Sequence, residues 1–290
     1  MTTPQTIRHQ LTIPRPLKPT LLSLYQVGLG MTARLRALTT ETRLPDFLII
    51  GAQKCGTTYL YEKLTEHPHV APALTKEVHF FDNGYHHGVA WYRGHFPAKE
   101  GNDITGEASP YYIFHPHAAR RVQQTTPHAK LILLLRNPVN RAYSHYHHEA
   151  RLGYEPLSFA EALAQENQRL QGEHEKMLTN EHYYSHAHQH YAYRSKGLYA
   201  DQLQGWFDIF PQDQLLVLQS ETFYQNTPVV MRQVTDFLGL SAWDSWQLSN
   251  PKRKGYAKMD PALRQSLATY YQPHNQRLYE MIGADFGWEM

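Results

Sequence analysis

Three short, almost continuous apolar runs occur along the chain, and each is followed by a segment with apolar positions at helical spacing. The runs, each with its following segment, cover residues 46–51 and 57–67, 130–135 and 139–151, and 214–218 and 229–238. Short apolar runs bounded by turn residues are typical of strands that are buried on both faces. Strands that alternate with helices predict a single α/β domain, in which a central parallel sheet is flanked by helices on both faces.

The carboxyl ends of the predicted strands are the expected place for a ligand site. Gly51, Arg136 and Glu221 lie at or just after the ends of the three apolar runs. In open parallel sheets, ligands bind in the crevice outside the carboxyl ends of the strands. We therefore expect the residues of these three loops to lie at one edge of the sheet.

The N-terminal part of the chain differs from the rest in pattern. It contains several spaced prolines and then a weakly helical stretch at residues 21–38 without a strong apolar stripe. The start lacks the basic-then-apolar order of a secretory signal, and no run approaches the roughly 18–20 apolar residues of a transmembrane helix. The pattern predicts an N-terminal extension, residues 1–45, laid on a domain that spans residues 46–290. A peripheral contact of the extension with a membrane or a partner stays open.

The composition excludes some classes of binding partner and some kinds of structural site. Lys and Arg total 28 against 26 Asp and Glu, a formal net charge of +2, which is too balanced for nonspecific attraction to a nucleic acid. Any bound anion must therefore be held by a local site. The single cysteine, Cys55, excludes an internal disulfide and a cysteine-based structural zinc site, so a reducing, cytoplasmic compartment is expected.

The segment from Gly51 to Thr58 joins the first predicted strand to the first predicted helix. The backbone amides of such a loop and the helix N-terminus favour a bound anion, and Lys54, Thr57 and Thr58 add side-chain donors. Gly51 and Gly56 have the outer spacing of a Walker loop, but Thr57 stands where an ATP- or GTP-binding loop has its lysine. The pattern predicts a phosphate-binding loop, and a kinase of the Walker type is the less supported alternative.

This loop and its flanks, PDFLIIGAQKCGTTYLYEKLTEHPHV, resemble the 5′-phosphosulfate loop of sulfotransferases that use 3′-phosphoadenosine-5′-phosphosulfate (PAPS). The similarity continues through KEVHFFD, LRNPVNRAYSHY and KRKGYAKMDPALRQSLATYYQPHNQRL, so that it covers residues 46–290. The chain is most similar to the branch that holds heparan sulfate sulfotransferases and their bacterial relatives. The resemblance implies a P-loop-like sulfotransferase fold, PAPS as the donor, adenosine 3′,5′-bisphosphate as a product, and no metal.

The resemblance also implies which residues hold the donor. Lys54 would contact the 5′-phosphate and the oxygen that bridges it to the sulfuryl group, Arg136 and Ser144 would bind the 3′-phosphate, and a basic loop would close over the nucleotide. The donor-binding residues implied are Gln53, Lys54, Cys55, Gly56, Thr57, Thr58, Arg136, Ser144, Lys252, Arg253, Lys254, Gly255 and Tyr256. Taken singly, Arg136 is as consistent with a carboxylate pair, Ser144 with a neutral helix position, and the basic run with a solvated surface.

The catalytic residues implied by the resemblance are Glu77, His79 and Lys54. Glu77 corresponds to the glutamate that related glycan enzymes use as a general base, a role that works best when burial raises the carboxyl pKa. His79, two positions further on in extended backbone, would orient Glu77 or the acceptor, and Lys54 would stabilise charge on the leaving oxygen. An exposed ion pair between Glu77 and Lys76 is the alternative interpretation of the same pattern.

One position departs from the family. Ala108 stands where the heparan sulfate enzymes carry a lysine in a Gly-Glu-Lys-Ser/Thr-Pro stretch. Either Lys54 suffices, or another base such as Lys76 takes part, or the acceptor is more nucleophilic than a sugar hydroxyl. The same departure motivates the alternative of a PAPS- or bisphosphate-binding protein with impaired catalysis.

The acceptor side is the least specified part of the sequence. Histidines and tyrosines are frequent in residues 152–200, where His186, His188 and His190 alternate in a way that can bind zinc or copper. Because no cysteine or carboxylate pattern flanks them, surface or acceptor-contacting histidines are expected instead of a metal site. Aromatic and imidazole groups suit a ring-bearing or hydroxylated acceptor. The near-zero net charge favours a small metabolite, lipid or sugar over a long anionic glycan.

Overall fold

The computed structural model describes residues 18–98, 100–243, 245–246 and 255–288, with side chains from residue 27 onwards. Five parallel strands form its centre in the order β2-β3-β1-β4-β5. The strands are β1 (Phe47–Gly51), β2 (Val70–Pro72), β3 (Ile104–Ala108), β4 (Lys130–Leu135) and β5 (Leu215–Gln219). β1 lies between β3 and β4 and is buried at every position, as expected from its continuous apolar sequence.

Helices flank this sheet, which confirms the predicted α/β architecture. The helices are α1 (Lys18–Thr39), α2 (Thr57–Leu64), α3 (Val89–Arg93), α4 (Ala118–Thr125), α5 (Pro138–Leu152), α6 (Phe159–Leu170), α7 (Glu173–Thr179), α8 (His186–His190), α9 (Tyr199–Phe207), α10 (Ser220–Gln225), α11 (Thr227–Leu238) and α12 (Pro261–Ile282). Short 3₁₀ turns occupy Tyr85–His87, Ser195–Gly197 and Gln212–Gln214.

The strand register brings the carboxyl ends of the strands to one edge. Ile49 of β1 lies beside Ala108 of β3 and Ile132 of β4, and Leu135 of β4 lies beside Gln219 of β5. Because all the strands are parallel, the loops that follow β1, β3, β4 and β5 begin at the same edge of the sheet. This arrangement agrees with the predicted position of the ligand site.

The apolar pattern predicts three of the five strands and misses β2 and β3. β2 has only three residues, and β3 contains Gly106 and the buried Glu107, so neither strand is a continuous apolar run. A Cβ atom at Gly106 would lie 2.3 Å from the carbonyl oxygen of Phe47. The glycine therefore allows β3 to pair closely with β1, although it weakens the strand signal in the sequence.

The predicted helix boundaries differ from the observed ones mainly at the end of α2. The apolar pattern extends to residue 67, but the helix ends at Leu64. Backbone bonds from Glu66 to Lys63 (3.1 Å) and from His67 to Leu64 (3.2 Å) span three residues. The last turn therefore tightens into 3₁₀ geometry, as helix ends often do.

Two buried clusters hold the fold together. The larger one surrounds the sheet, and the smaller one joins α5, α6 and α12 through Val139, Phe159, Tyr193 and Tyr271. The smaller cluster fixes α5 beside the carboxyl end of β4, where Arg136 begins the connecting loop. Within the described part of the chain, no helix has both the length and the hydropathy that crossing a bilayer requires.

Candidate active site

Two residues with left-handed backbone shape the loop between β1 and α2. Lys54 has a φ of 73° and Gly56 a φ of 103°. A Cβ atom at Gly56 would lie 2.6 Å from Tyr224 Oη, so the position requires glycine. Gly56 is also the N-cap of α2 and provides no side-chain cap. Since the first amides of a helix have no partner within the helix, this loop offers backbone donors to an anion.

Lys54 is half-buried among charged groups from both sides of the site. Burial lowers the pKa of Lys54 to about 8, and the charges of Arg151 and Arg136 lower it further, against the opposite effects of Glu149 and Glu77. The amine therefore remains protonated at neutral pH. It lies within electrostatic reach of Arg136, predicted to bind the donor, and of Glu77, predicted to activate the acceptor.

The other predicted loop residues take different positions. Cys55 is fully buried, and its Sγ atom lies 3.9 Å from Tyr199 Oη. Burial raises the pKa of the Cys55 thiol to about 11, so the side chain is an uncharged part of the core. The Cys55 amide donates to the carbonyl oxygen of Ala52 (3.1 Å), and the Cys55 carbonyl oxygen accepts from Ser220 Oγ (2.7 Å), so the structure does not favour the predicted donor contact at this residue. Thr57 is buried and Thr58 is exposed, which leaves the Thr58 hydroxyl accessible to a ligand.

Arg136 follows β4 and turns back towards the loop. Its Nη1 donates to the carbonyl oxygen of Lys54 (3.3 Å), and its own carbonyl oxygen accepts a bond from Tyr199 Oη (2.8 Å). Among the described residues, no carboxylate forms an ion pair with Arg136. The arrangement therefore does not support the alternative interpretation of Arg136 as half of a structural ion pair.

Ser144 contacts the end of the predicted basic loop. Its Oγ lies 3.1 Å from Tyr256 Oη, and the Tyr256 ring stacks on His147 with centroids 4.4 Å apart. Gly255 and Tyr256 are described and exposed. The other three residues of that loop prediction lie outside the described residues, and they are Lys252, Arg253 and Lys254.

A cavity of about 400 Å³ lies between α5 and the start of α12. Its lining includes Arg136, Tyr256, Lys258 and Arg264, and Arg264 donates to Asn140 Oδ1 (2.9 Å). The volume falls in the range of about 300–1,000 Å³ that is usual for small-molecule sites, and three cations suit an anionic ligand. Arg264 is not predicted from the sequence, because a lone arginine on a helix carries no motif, whereas Lys258 lies four residues after Lys254, the last residue of the basic run.

Glu77, His79 and Asp82 form a continuous chain of contacts. His79 Nε2 lies 3.4 Å from Glu77 Oε2, and His79 Nδ1 lies 2.7 Å from Asp82 Oδ2. The Asp82 side chain is fully buried, whereas the Glu77 side chain is 42% exposed. Lys76 Nζ donates to the other oxygen of Glu77. The chain therefore runs from a buried carboxylate to one that solvent or a ligand can reach.

These contacts set the protonation states of the chain. Burial raises the pKa of Glu77, but the hydrogen bond with His79 and the charge of Lys76 outweigh it and hold the pKa well below its usual value. Burial lowers the pKa of His79, but the charge of Asp82 and the contacts with Asp82 and Glu77 raise it well above 6.5. At neutral pH, Glu77 is a carboxylate and His79 an imidazolium. The raised pKa that favours a general base is not found, because cations surround Glu77.

Three consecutive backbone amides hold this segment in place. The amides of residues 78, 79 and 80 donate in order to Glu107 Oε2 (3.3 Å), Ser109 Oγ (3.0 Å) and Tyr112 Oη (2.8 Å). Ser109 and Tyr112 also donate to Glu107, and burial raises the pKa of Glu107 to about 7. Together these hydrogen bonds hold His79 in a left-handed backbone conformation, with a φ of 55°.

Lys76 lies beside Ala108, the position that departs from the motif of the heparan sulfate enzymes. Its Nζ is 3.3 Å from the carbonyl oxygen of Ala108 and also contacts Glu77. The Lys76 side chain is only 11% exposed. A cation therefore lies beside residue 108, although residue 108 itself does not supply it. Of the three explanations for Ala108, this geometry favours the one in which Lys76 takes part in the site.

The alternating histidines lie on a short helix, α8, and do not converge. His188 is buried, and its Nδ1 lies 2.6 Å from Tyr111 Oη. The rings of His186 and His190 are tilted by 32° to each other with centroids 4.4 Å apart, and His190 Nδ1 lies 2.9 Å from the buried Glu149. Across the described ranges, no three His, Cys, Asp or Glu side chains are arranged to hold a metal ion.

Lys196 is a buried amine that contacts the phosphate loop. Its Nζ donates to Gln53 Oε1 (2.9 Å) and to the carbonyl oxygen of Gln189 (2.5 Å), and it lies 5.0 Å from the centroid of the Tyr111 ring. Burial lowers the pKa of Lys196 to about 7. The side chain thus links the phosphate loop to α8. A lysine is usually exposed, so the burial of Lys196 and its contact with Gln53 are not predicted from the sequence.

A second cavity, of about 210 Å³, opens beside Asp82. Its lining includes Tyr85, Tyr184, Arg121 and Glu181. Aromatic rings next to hydrogen-bonding groups suit a polar ring such as a sugar. Among the described residues, Arg121 is the only Lys or Arg in this lining, and Asp82 and Glu181 are both carboxylates. The cavity therefore offers no excess of Lys or Arg charge to a polyanion.

Comparisons with known proteins agree with the resemblance read from the motifs. A family model described as a sulfotransferase domain matches residues 44–273. Mouse heparan sulfate glucosamine 3-O-sulfotransferase 6 is 31% identical over 312 residues, covering 99% of this chain and 85% of the mouse protein. The human protein of the same name is 33% identical over 270 residues, covering 85% of this chain and 74% of the human protein. A crystal structure of a sulfotransferase from Alicyclobacillus acidocaldarius has a TM-score of 0.71 and 32% identity, covering 85% of this chain and 99% of that chain.

Proposed function

The chain belongs to the sulfotransferase family and is a sulfotransferase enzyme, and we propose that it uses PAPS to sulfate a hydroxyl or amine of a neutral, ring-bearing acceptor. We further propose that residues 46–290 form the catalytic domain and residues 1–45 an extension of it. The resemblance implies the donor and the residue roles, and the geometry of the site supports them.

The proposal rests on one observation: the residues predicted to bind PAPS lie in two groups, one beside the phosphate loop and one beside α5. Lys54 and Arg136 contact each other at the edge of the sheet, and Ser144 contacts Tyr256 beside α5. The cavity of about 400 Å³ is lined by both Arg136 and Tyr256. A nucleotide with phosphates at its 5′ and 3′ positions needs donors and cations at two separate places, and this region supplies both.

When bound, the donor supplies the sulfuryl group and departs as adenosine 3′,5′-bisphosphate. Lys54 would stabilise the charge that grows on the bridging oxygen as the bond from sulfur to that oxygen breaks. The amides at the start of α2 and the Thr58 hydroxyl would hold the 5′ end. Arg136 and Ser144 would hold the 3′-phosphate through charge-assisted hydrogen bonds.

Glu77 would accept the proton that the acceptor loses as its oxygen or nitrogen bonds to sulfur. With a low pKa, Glu77 is a weak base in the resting site, so the proton moves late, once bonding to sulfur has made the acceptor group acidic. His79, held by Asp82 through a 2.7 Å contact, would keep the Glu77 carboxylate oriented and ionised. Such assistance is typically worth about 10² to 10⁴ in rate.

The cavity beside Asp82 is proposed as one part of the acceptor pocket. Neither Glu77 nor His79 is among the described residues that line it, so a bound acceptor would extend from the cavity past His79 to reach Glu77. Its volume of about 210 Å³ lies below the usual range of about 300–1,000 Å³ for small-molecule sites, so it fits one ring rather than a chain of them. The relatives named above act on heparan sulfate glucosamine, but one arginine and two carboxylates do not suit a densely sulfated polymer. We propose an uncharged sugar or phenolic group as the sulfated unit.

Transfer of labelled sulfate from PAPS to a panel of neutral glycosides, phenols and amines tests this proposal. We expect transfer to at least one uncharged ring-bearing acceptor without added metal, and slower transfer to heparan sulfate. Tight binding of adenosine 3′,5′-bisphosphate without turnover of any acceptor would instead favour a catalytically impaired protein. Magnesium-dependent consumption of ATP that PAPS does not affect would favour a kinase.

A further inference from the structure

One face of α1 is fixed against the domain. Ala33 is fully buried, and a Cβ atom at Gly94 would lie 1.9 Å from the carbonyl oxygen of Ala33. A Cβ atom at Gly30 would lie 3.4 Å from the Trp91 side chain. The small residues of α1 and the residue after α3 thus bring the two backbones close together. This packing determines which face of α1 points away from the domain.

The outward face of α1 carries a strip of large apolar side chains. Val27, Met31, Leu35 and Leu38 are 57%, 66%, 61% and 86% exposed. Their spacing of four, four and three residues places them on one side of a helix. Single exposed apolar residues are ordinary, but four in one line on a helix form a contiguous patch, which usually marks an interaction surface.

The charged residues in the first 40 positions of the sequence have a single sign. The first 40 residues contain five basic residues and no Asp or Glu, and the basic residues are Arg8, Arg15, Lys18, Arg34 and Arg36. The rest of the chain carries 23 Lys and Arg against all 26 Asp and Glu. The whole excess of positive charge therefore resides in the N-terminal segment that contains α1.

We propose that α1, together with the basic residues before it, docks the enzyme on an anionic lipid membrane. The strip formed by Val27, Met31, Leu35 and Leu38 would enter the boundary between headgroups and acyl chains. The exposed Arg34, which lies beside the strip on the helix, would contact the anionic headgroups, and the net positive charge of residues 1–40 would attract the enzyme to them. A second copy of the chain fits this surface less well, because two such segments would bring like charges together. The proposal does not depend on the identity of the sulfate donor or acceptor.

Sedimentation of the full chain with vesicles tests the proposal. We expect vesicles of phosphatidylcholine with a quarter phosphatidylglycerol to bind the chain more tightly than pure phosphatidylcholine vesicles do, with weaker binding as salt rises. The double variant Met31→Ser, Leu35→Ser should bind the mixed vesicles roughly ten- to a hundredfold more weakly. Leu178 and Val229 are 53% and 44% exposed on other helices, so Leu178→Ser, Val229→Ser is the matched control and should bind as the wild type does.

Three outcomes would overturn the proposal: no preference for the anionic vesicles, equal binding of the double variant, or an equal loss in the matched control. A dimer, seen by light scattering without vesicles and abolished by the double variant, would assign the strip to a second copy instead. The thermal unfolding midpoint and the affinity for adenosine 3′,5′-bisphosphate serve as folding controls, because α1 lies outside the proposed active site. Both should stay unchanged in the double variant.

Discussion

The donor side and the acceptor side of the proposed site are built by different kinds of hydrogen bond. Lys54 and Arg136 come soon after β1 and β4, so the backbone ladder of the sheet fixes where their loops begin. Glu77 and His79 lie outside any strand or helix, and their segment is held by side chains of residues 107–112. The backbone hydrogen bonds of a sheet tolerate most side-chain substitutions. A network of side-chain hydrogen bonds depends on each of its side chains.

This contrast also separates what each side is expected to do. The donor side groups cations and hydroxyls around a cavity, an arrangement that favours binding. The acceptor side links a carboxylate to an imidazolium and a second, buried carboxylate, an arrangement that favours proton transfer. Substitutions on the two sides should therefore affect different measured quantities.

The largest expected effect, and the sharpest test of the comparison, comes from Glu77→Gln. The change keeps the shape of the side chain but removes the proposed base, so kcat should fall by about 10² to 10⁴. The affinity for adenosine 3′,5′-bisphosphate, measured by calorimetry, should stay unchanged because the donor side is intact. Glu175, an exposed residue of α7, provides the control Glu175→Gln, which should leave both quantities unchanged. A loss of nucleotide affinity equal to the loss of kcat would show that the two sides are not separable.

Arg136→Ala should give the next largest effect, on binding. Hydrogen bonds to charged groups contribute about 1.5–3 kcal/mol, so the affinity for adenosine 3′,5′-bisphosphate should fall roughly ten- to a hundredfold. The affinity for adenosine 5′-phosphate should fall much less, since that ligand lacks the 3′-phosphate. Part of any common loss would come from the bond between Arg136 and the Lys54 carbonyl. Equal losses for the two ligands would mean that Arg136 acts only on the loop.

The same contrast explains how much the sequence predicts. Donor residues follow apolar runs, and an apolar run that ends in a glycine or polar loop already gives the strand, its carboxyl end and the loop. β3 is not predicted from the apolar pattern, because Gly106 and Glu107 interrupt its apolar sequence. The buried Glu107 makes sense only once the amide of Val78, 29 positions earlier, is seen to donate to it.

Residues brought together from distant parts of the chain were the hardest to predict. Lys196 meets Gln53 across 143 positions of sequence, and no local periodicity encodes such a contact. The alternation of His186, His188 and His190 is compatible with zinc or copper binding, although surface or acceptor-contacting histidines are the expectation, and it does not predict helix α8, which separates His188 from the other two. The motif also does not predict the burial of Cys55. Its place in the loop predicts a donor contact, but its thiol points into the core.

A pH profile probes the point where the two sides meet, at Lys54. Burial lowers the pKa of this amine to about 8, so the cation is present below pH 8 and is lost as the pH rises through that value. The ratio kcat/KM for PAPS reports groups of the free enzyme and should fall roughly tenfold between pH 7 and pH 9. Lys54→Arg keeps the charge at these pH values and should remove the fall. A fall that persists in Lys54→Arg would assign it to another group such as Lys196, whose pKa is about 7.

The smallest expected effect concerns Ser144, which tests whether the donor side extends to the loop that carries Tyr256. Removing one neutral hydroxyl donor costs about 1 kcal/mol, so Ser144→Ala should weaken adenosine 3′,5′-bisphosphate about fivefold and leave kcat unchanged. Ser266→Ala, at an exposed serine of α12, is the matched control and should change neither quantity.

The contact of 3.1 Å between Ser144 Oγ and Tyr256 Oη makes a double-mutant cycle informative. If both hydroxyls hold the same phosphate, Ser144→Ala and Tyr256→Phe should together weaken the bisphosphate by a factor that differs from the product of the single losses, because contacting residues couple. Adenosine 5′-phosphate should show no such coupling. If Ser144→Ala weakens both nucleotides equally, Ser144 merely supports Tyr256, and recognition of the 3′-phosphate falls to Arg136, Lys258 and Arg264 in the wall of the cavity.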